Sequence, residues 1–385
     1  MIPTGASFAP NLYALLYLGL TLVLTACQGG DAYKVNLRAV SYDALPGWQE
    51  DSHAKAHALF VESCGVNARR GNSFTTKTKK SYASPEAWKA ACDAARHLPN
   101  PTDEEAKNYF ETHFTPYRAT TDANTRGLTT GYYEPLLHGS KKPSARFHVP
   151  VYGVPYKPEH RNLTREKIEA GGLKGKAPIL LYVDDPAMLF FLHIQGSGKV
   201  RMTDGSLVGL QYAAQNGHPF VPIGRSMKER GMITVMSMQS IRDWLLSHPK
   251  EAVAVMNENP SYIFFHLSPG DAYAKGALGI SLTPRRSIAV DDERVPYGSP
   301  IYLSTRMSNP REFFPAKLRH LMVAQDTGGA IIGPIRYDIF FGRGARAEWR
   351  AGHQNTPARV YWLLPNSSGA DAVIQQVIPS IPRLW

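Results

Sequence analysis

Two apolar runs near the C-terminal end of the chain each carry an acid. One leads from Leu321-Met322-Val323-Ala324 through Gln325 to Asp326-Thr327-Gly328-Gly329, and the other, Ile335 to Phe341, holds Asp338. Strand side chains alternate between faces, so Arg336, Asp338 and Phe340 share one face of the second run. Ile335, Tyr337, Ile339 and Phe341 share the other. Two such runs, joined by a connection that contains glycines, read as strands that each deliver an acid. Aspartate is disfavoured inside strands, so Asp338 needs a reason to be there. Two reasons fit: an ion pair with Arg336 on a solvated face, or a chemical role.

The rest of the chain reads as β-rich with helices at its N-terminal end. Its 385 residues suffice for two cored domains or one large one, and 32 glycines with 29 prolines argue for many turns. His53 to Cys64 has helical spacing, with Gly65 as a stop. Ser84-Pro85-Glu86 starts a second helix, and Thr102 with Glu105 has the capping-box pattern for a third. Beyond Gly127, β-prone runs alternate with Gly, Pro and Ser; strands are expected within Leu128–Tyr152, at Ile179–Val183 and at Leu189–Ile194. Helices return at Ser237–Ser247 and Pro249–Met256, and a β-rich block follows from Tyr262.

The N-terminal residues address the compartment. Leu12 to Leu24 is apolar and ends in Leu24-Thr25-Ala26-Cys27, which reads as a secretion signal closing in a bacterial lipobox, although no Lys or Arg precedes the apolar core. Cys27 would then be the lipidated first residue, anchoring the chain to a membrane. The remaining cysteines, Cys64 and Cys92, fit a disulfide in an oxidising compartment, and a pair of buried thiols also fits. Two thiols are too few for a zinc site, and no metal or organic cofactor is indicated. The net charge of +11 calls for a polyanionic neighbour. Nucleic acid is set aside, because the one basic cluster, Lys77, Lys79 and Lys80, sits in a polar stretch that reads as a solvated loop.

Several motifs invite chemistry that the rest of the chain does not support. A single Asp-Thr-Gly cannot supply the paired carboxylates of a two-lobed aspartic protease. Gly196-Ser197-Gly198 lacks nucleophile-elbow spacing and reads as a turn with ligand-facing polar groups. His193 and His353 have no companion ligand and read as hydrogen-bonded structural histidines.

Longer stretches carry a resemblance. Gly131-Tyr132-Tyr133-Glu134-Pro135, Phe191-Leu192-His193-Ile194-Gln195-Gly196-Ser197-Gly198, Asn259 to Phe265, Ala324 to Ile331, Arg336 to Gly342 and Ala351-Gly352-His353 resemble the membrane-bound lytic murein transglycosylase A family. The similarity runs from about Leu45 to Leu364. It implies a mainly β fold with α-helices (α+β): a double-psi β-barrel domain, an inserted smaller β-barrel-like domain and N-terminal helices. On that basis the chain divides into a signal (1–26), a flexible tether (27–44), a discontinuous barrel domain (45–135 and 265–385) and an insert (136–264).

The resemblance also implies cleavage of peptidoglycan glycan strands between N-acetylmuramic acid and N-acetylglucosamine, yielding 1,6-anhydromuropeptides. Asp338 matches the family's catalytic acid, and Asp326 matches the Asp of its Asp-Thr-Gly segment. The sugar's own C6 hydroxyl is the acceptor, and an intramolecular nucleophile needs less activation, so one carboxyl can act first as acid and then as base. That requires Asp338 to be protonated near neutral pH. Aromatic Tyr337, Phe340 and Phe341 and repulsion from Asp326 would raise its pKa, and Arg336 would oppose them. Tyr132, Tyr133, Glu134, Gln195 and Ser197 are the candidate sugar contacts, with core tyrosines and a tight turn as the alternative reading. A third acid expected after Gly342-Arg343-Gly344 is displaced, with Glu348 the nearest. The expected location is the periplasmic face of the outer membrane, where cell-wall synthesis or hydrolysis proteins would be partners. A wall-binding lipoprotein without activity is the alternative that Asp338, in its full motif, argues against.

Overall fold

The structure, a computed structural model, describes residues 34–72, 74–307 and 315–366. The signal, the lipobox and Cys27 lie outside the described residues.

The chain opens with β1 (Asn36–Ala39), helices α1 (His53–Arg69), α2 (Pro85–Arg96) and α3 (Asp103–His113), and strands β2 (Phe114–Thr120) and β3 (Gly127–Glu134). A middle section holds β4 (Leu136–Ser140), β5 (Val149–Tyr152), the short α4 (Arg165–Lys167), β6 (Ile179–Val183), α5 (Pro186–Gln195), β7 (Gly198–Met202) and β8 (Leu207–Gln215). It continues through α6 (Ile223–Glu229), α7 (Met238–Ser247), α8 (Pro249–Asn257) and β9 (Ile263–Pro269). Strands β10 (Ser287–Val290), β11 (Pro300–Met307), β12 (Ala316–Thr327) and β13 (Arg336–Arg343), helix α9 (Ala345–His353) and β14 (Asn355–Pro365) complete it.

Six of these strands close on themselves in the order β14-β11-β12-β10-β13-β3, the ring sealed by β3 pairing with β14. Two parallel pairs, β10 with β12 and β13 with β3, interrupt the antiparallel ladder. This is the double-psi barrel implied by the resemblance. Its interior is the apolar face read from the sequence: Tyr337, Ile339 and Phe341 pack with Ile288, Val290, Ile301, Leu303 and Trp362. Helices α1 to α3 cover one outer face through Phe60, Trp88 and Phe110, which pack with Trp48 and Phe114 against Tyr302 and Tyr361 of the barrel. Cys64 and Cys92 are disulfide-bonded between α1 and α2. The second sheet, β5-β6-β4-β7-β8-β9, starts at Leu136 and has its own core of Leu181, Val183, Leu192, Val200 and Leu210. Its last strand runs to Pro269, past the expected boundary at 264.

Four expectations change. Leu189–Ile194 is not a strand but part of α5. Asp185 caps it by accepting from the N–H of Ala187 and Met188, Pro186 occupies its first turn, and Gly196 ends it at φ 80°. The run is apolar all round because the helix is buried on most sides, which erases the periodicity that would have marked it. Gly65 does not stop α1, which continues to Arg69. The tether is shorter than 27–44, because Asn36–Ala39 pairs with β2 and Tyr42 donates from its hydroxyl to the Phe110 carbonyl at 2.7 Å. The β-rich C-terminal block also contains α9, whose Ala347 and Ala351 pack into the barrel core.

Candidate active site

Strand register brings the two acids onto one rung. Ala289 of β10 stands opposite Asp326 in parallel β12 and opposite Asp338 in antiparallel β13, and Asp338 in turn stands opposite Thr130 of β3. Two strand spacings separate the backbones of the acids, roughly 10 Å. Ala289 is small and buried, and it packs with Tyr132, Ile331 and Phe340 on the outer side of the barrel wall. A larger residue there would fill the space between the carboxyls.

Thr130 donates its hydroxyl to Asp338 Oδ1 at 2.7 Å. Burial pushes the Asp338 pKa up, while the Thr130 hydrogen bond and the Arg336 charge pull it down. Arg336 itself donates to the Tyr337 carbonyl at 2.8 Å. Of the three aromatic flanks, only Phe340 lies on the acid's side; Tyr337 and Phe341 face the barrel interior. The repulsion expected from Asp326 falls the other way: burial pushes Asp326 up to about 6, and the Asp338 charge adds to that rise. Three donors oppose it, namely the N–H of Ala277 at 3.0 Å, the N–H of Thr327 at 2.9 Å and the Tyr132 hydroxyl at 3.0 Å.

A cleft of about 820 Å³ lies between the barrel and the second sheet. Gln195, Ser197 and Tyr212 line one side, and Lys77, Lys275, Asp291, Asp326, Gly328 and Ile332 line the other. Tyr212 and Ile332 are exposed, offering apolar surface in the cleft that Asp326 lines. Asp338, Tyr132, Tyr133 and Glu134 are not among its lining residues. Lys77, in the stretch expected to be a solvated loop, edges this cleft and stands 4.0 Å from Glu293.

The candidate sugar contacts therefore separate. Tyr132 is buried and held to Asp326, with its ring against Phe340, which places it in the acid framework rather than on a sugar-stacking surface. Tyr133 packs in the barrel core, and its N–H donates to Gln195 Oε1 at 3.0 Å, linking β3 to the end of α5. Glu134 is only 1% exposed; it accepts from Arg343 Nε at 2.6 Å and from the Ala274 N–H at 3.1 Å. Arg343 also pairs with Asp271, so this cluster ties β3 and β13 to the chain leaving the second sheet. Both oxygens of Glu134 thus have partners within the fold. Glu348, the nearest third acid, pairs with Arg242 of α7. His193 is buried beside the Arg165 guanidinium at 3.0 Å, and His353 bonds to the Trp349 carbonyl at 2.8 Å.

Thr130 and Ala289 escaped the sequence reading. Each acts through cross-strand pairing, which leaves no local signal. The close approach at Gly131 belongs with them: a Cβ there would sit 2.4 Å from the Phe341 ring.

Residues 128–266 match the MltA specific insert domain, and residues 286–364 match the 3D domain. Membrane-bound lytic murein transglycosylase A of Vibrio cholerae serotype O1 is 34% identical over 255 residues, covering 62% of this chain and 68% of that protein. The chain belongs to the membrane-bound lytic murein transglycosylase A family. The fold agrees: the membrane-bound lytic murein transglycosylase structure from Agrobacterium tumefaciens superposes with a TM-score of 0.74 at 30% identity, covering 86% of this chain and 98% of that one. The structure of E. coli MltA with bound chitohexaose has a TM-score of 0.65 at 28% identity, covering 81% of this chain and 90% of that one.

Proposed function

We propose that this protein is a peptidoglycan lytic transglycosylase that cleaves the β-1,4 bond between N-acetylmuramic acid and N-acetylglucosamine and forms 1,6-anhydromuropeptides. The observation that carries the reading is the shared rung: two acids flank Ala289, both with pKa values raised by burial, and Asp326 lines a cleft between two sheets. A family member that holds chitohexaose supports a glycan chain as the occupant of that cleft.

In this reading Asp338 acts while protonated. Its carboxyl proton passes to the glycosidic oxygen, the C1–O bond breaks, and the N-acetylglucosamine side leaves with a free hydroxyl. The C6 hydroxyl oxygen of the muramyl residue then bonds to C1, and its proton returns to Asp338. Desolvation of Asp338 favours the protonated start, and the Thr130 hydroxyl supports the carboxylate formed midway. Asp326, pushed up to about 6, is chiefly ionised at pH 7 and offers negative charge to the oxocarbenium-like sugar. Gln195 and Ser197 contact the glycan from the end of α5 and the turn into β7. The mature chain begins at lipidated Cys27 and resides on the periplasmic face of the outer membrane.

Incubating purified protein with sacculi and weighing the released fragments by mass spectrometry tests the reaction class. Anhydro-ended muropeptides are expected. Fragments with reducing ends would mean that water is the acceptor, and no release would favour a wall-binding protein.

A further inference from the structure

The end of the barrel away from the acids is cationic. Arg126, Arg306, Lys317, Arg319 and Arg359 line a groove of about 330 Å³, and none of the other described residues lining it is acidic. Register explains the cluster. Arg306 stands opposite Lys317, and Ser304 stands opposite both Arg319 and Arg359, so alternation sends these side chains to the same outer face. Like charges directly opposite each other weaken a strand pair. None of the five joins an ion pair among the described residues. The fold therefore concentrates positive potential here that an anionic surface would relieve.

Two placements select the kind of anion. First, the chain enters the fold beside this groove. β1 starts at Asn36 opposite Thr120, next to Ala119, which stands opposite Val360 and hence beside Arg359. Cys27 lies nine residues before Asn36, a reach of at most about 30 Å. Second, β12 runs from Lys317 at the groove to Asp326 at the cleft. At about 3.3 Å per residue, that strand sets the two sites roughly 30 Å apart.

We propose that this groove and its rim are a docking face for a membrane leaflet bearing anionic phospholipid headgroups, and that docking holds the acid-bearing cleft on the side away from the bilayer. The choice of a membrane rests on the lipid-anchor reading; nothing in it rests on the catalytic roles. A short tether would bring the face within reach of headgroup phosphates, and the five cations would then fix which way the cleft points.

The test uses the chain from residue 27 onward with Cys27→Ser, which keeps the whole described fold without the lipid. It is expected to co-sediment with vesicles containing about 30% phosphatidylglycerol and to bind pure phosphatidylcholine vesicles far more weakly, with binding lost as salt rises. Each surface cation is worth about five-fold in such partitioning, so Arg306→Glu with Lys317→Glu and Arg359→Glu should reduce it at least about 100-fold. The same charge change made on the second sheet's side, Lys174→Glu with Lys228→Glu and Lys250→Glu, should leave most of the binding intact. Should the triple reversal fail to fold, the three glutamine substitutions at the same positions should still cut binding by more than about 20-fold. Equal losses from the two triple variants would overturn the proposal, as would equal binding to neutral vesicles. So would a face whose loss abolishes capture by sacculi while vesicle binding persists. Anhydro-product release from soluble glycan fragments, followed in the same variants, should be unchanged and reports separately on the catalytic reading.

Discussion

Replacing Asp326 by asparagine exchanges a partly buried carboxylate for a neutral group of the same shape, and the structure sets the size of the consequence. Burial raises the Asp326 pKa from 3.8 to about 6. A carboxyl whose pKa is raised in the folded state leaves stability intact below its unfolded pKa, subtracts from it as pH rises from that value to the folded one, and costs a constant amount above. Linkage gives a cost of about 1 kcal/mol at pH 4.5 and about 3 kcal/mol at pH 7.5. Asparagine avoids that cost, and its Oδ1 still accepts from the Ala277 and Thr327 N–H groups that now bond to Asp326. Its amide can donate to the Tyr132 hydroxyl, which would otherwise lose its partner. Asp326→Asn should therefore melt higher than the parent at neutral pH. At about 2 °C per kcal/mol for a fold of this size, its advantage should widen by about 4 °C between pH 4.5 and 7.5. Calorimetry at the two pH values measures this, alongside an activity assay in which the variant should be slower. An advantage that is flat or shrinks toward neutral pH would refute the reasoning. It would mean that Asp326 is not held ionised against its surroundings.

Arg343→Met strands Glu134 in a buried site and should destabilise the fold by about 3–5 kcal/mol in denaturant titrations, whereas replacing both partners with apolar residues should cost less. Reducing the Cys64–Cys92 disulfide opens a loop spanning 28 residues and should cost about 3–4 kcal/mol, read as a lower melting temperature in reductant. Asp51 is held below the ordinary carboxylate range by hydrogen bonds from His320 and Arg286, against the pull of burial. Its stabilisation is present above about pH 4 and lost as pH falls through its depressed pKa. Asp51→Asn should therefore lower stability at pH 7 and narrow the gap to the parent in acid unfolding curves.

The sequence carried the faces of the barrel strands well, because period-2 alternation is local. Ile335 to Phe341 alone put Asp338 on one face and Tyr337 on the other. It carried the helix starts at Ser84 and Thr102 for the same reason, since a cap and its helix are neighbours in the chain. It did not carry the rung. That Ala289 sits between Asp326 and Asp338 depends on β10 entering between β12 and β13, a topological choice that no residue in the Ser287–Val290 run announces. Glu134 and Tyr133 show a related limit. A polar or aromatic residue in a motif reads as ligand-facing until the partner that engages it, here Arg343 or the barrel core, is in place. The helix at Pro186–Gln195 shows the converse limit, because an apolar run without alternation does not say which period it follows.

Asp338→Asn is the most direct measurement. The variant should fold, should bind glycan strands as the parent does, and should release no anhydromuropeptides from sacculi, with turnover down by at least about 1,000-fold. Near-parental release of anhydro products by that variant would contradict the assignment of Asp338 as the acid–base residue and, with it, the central claim.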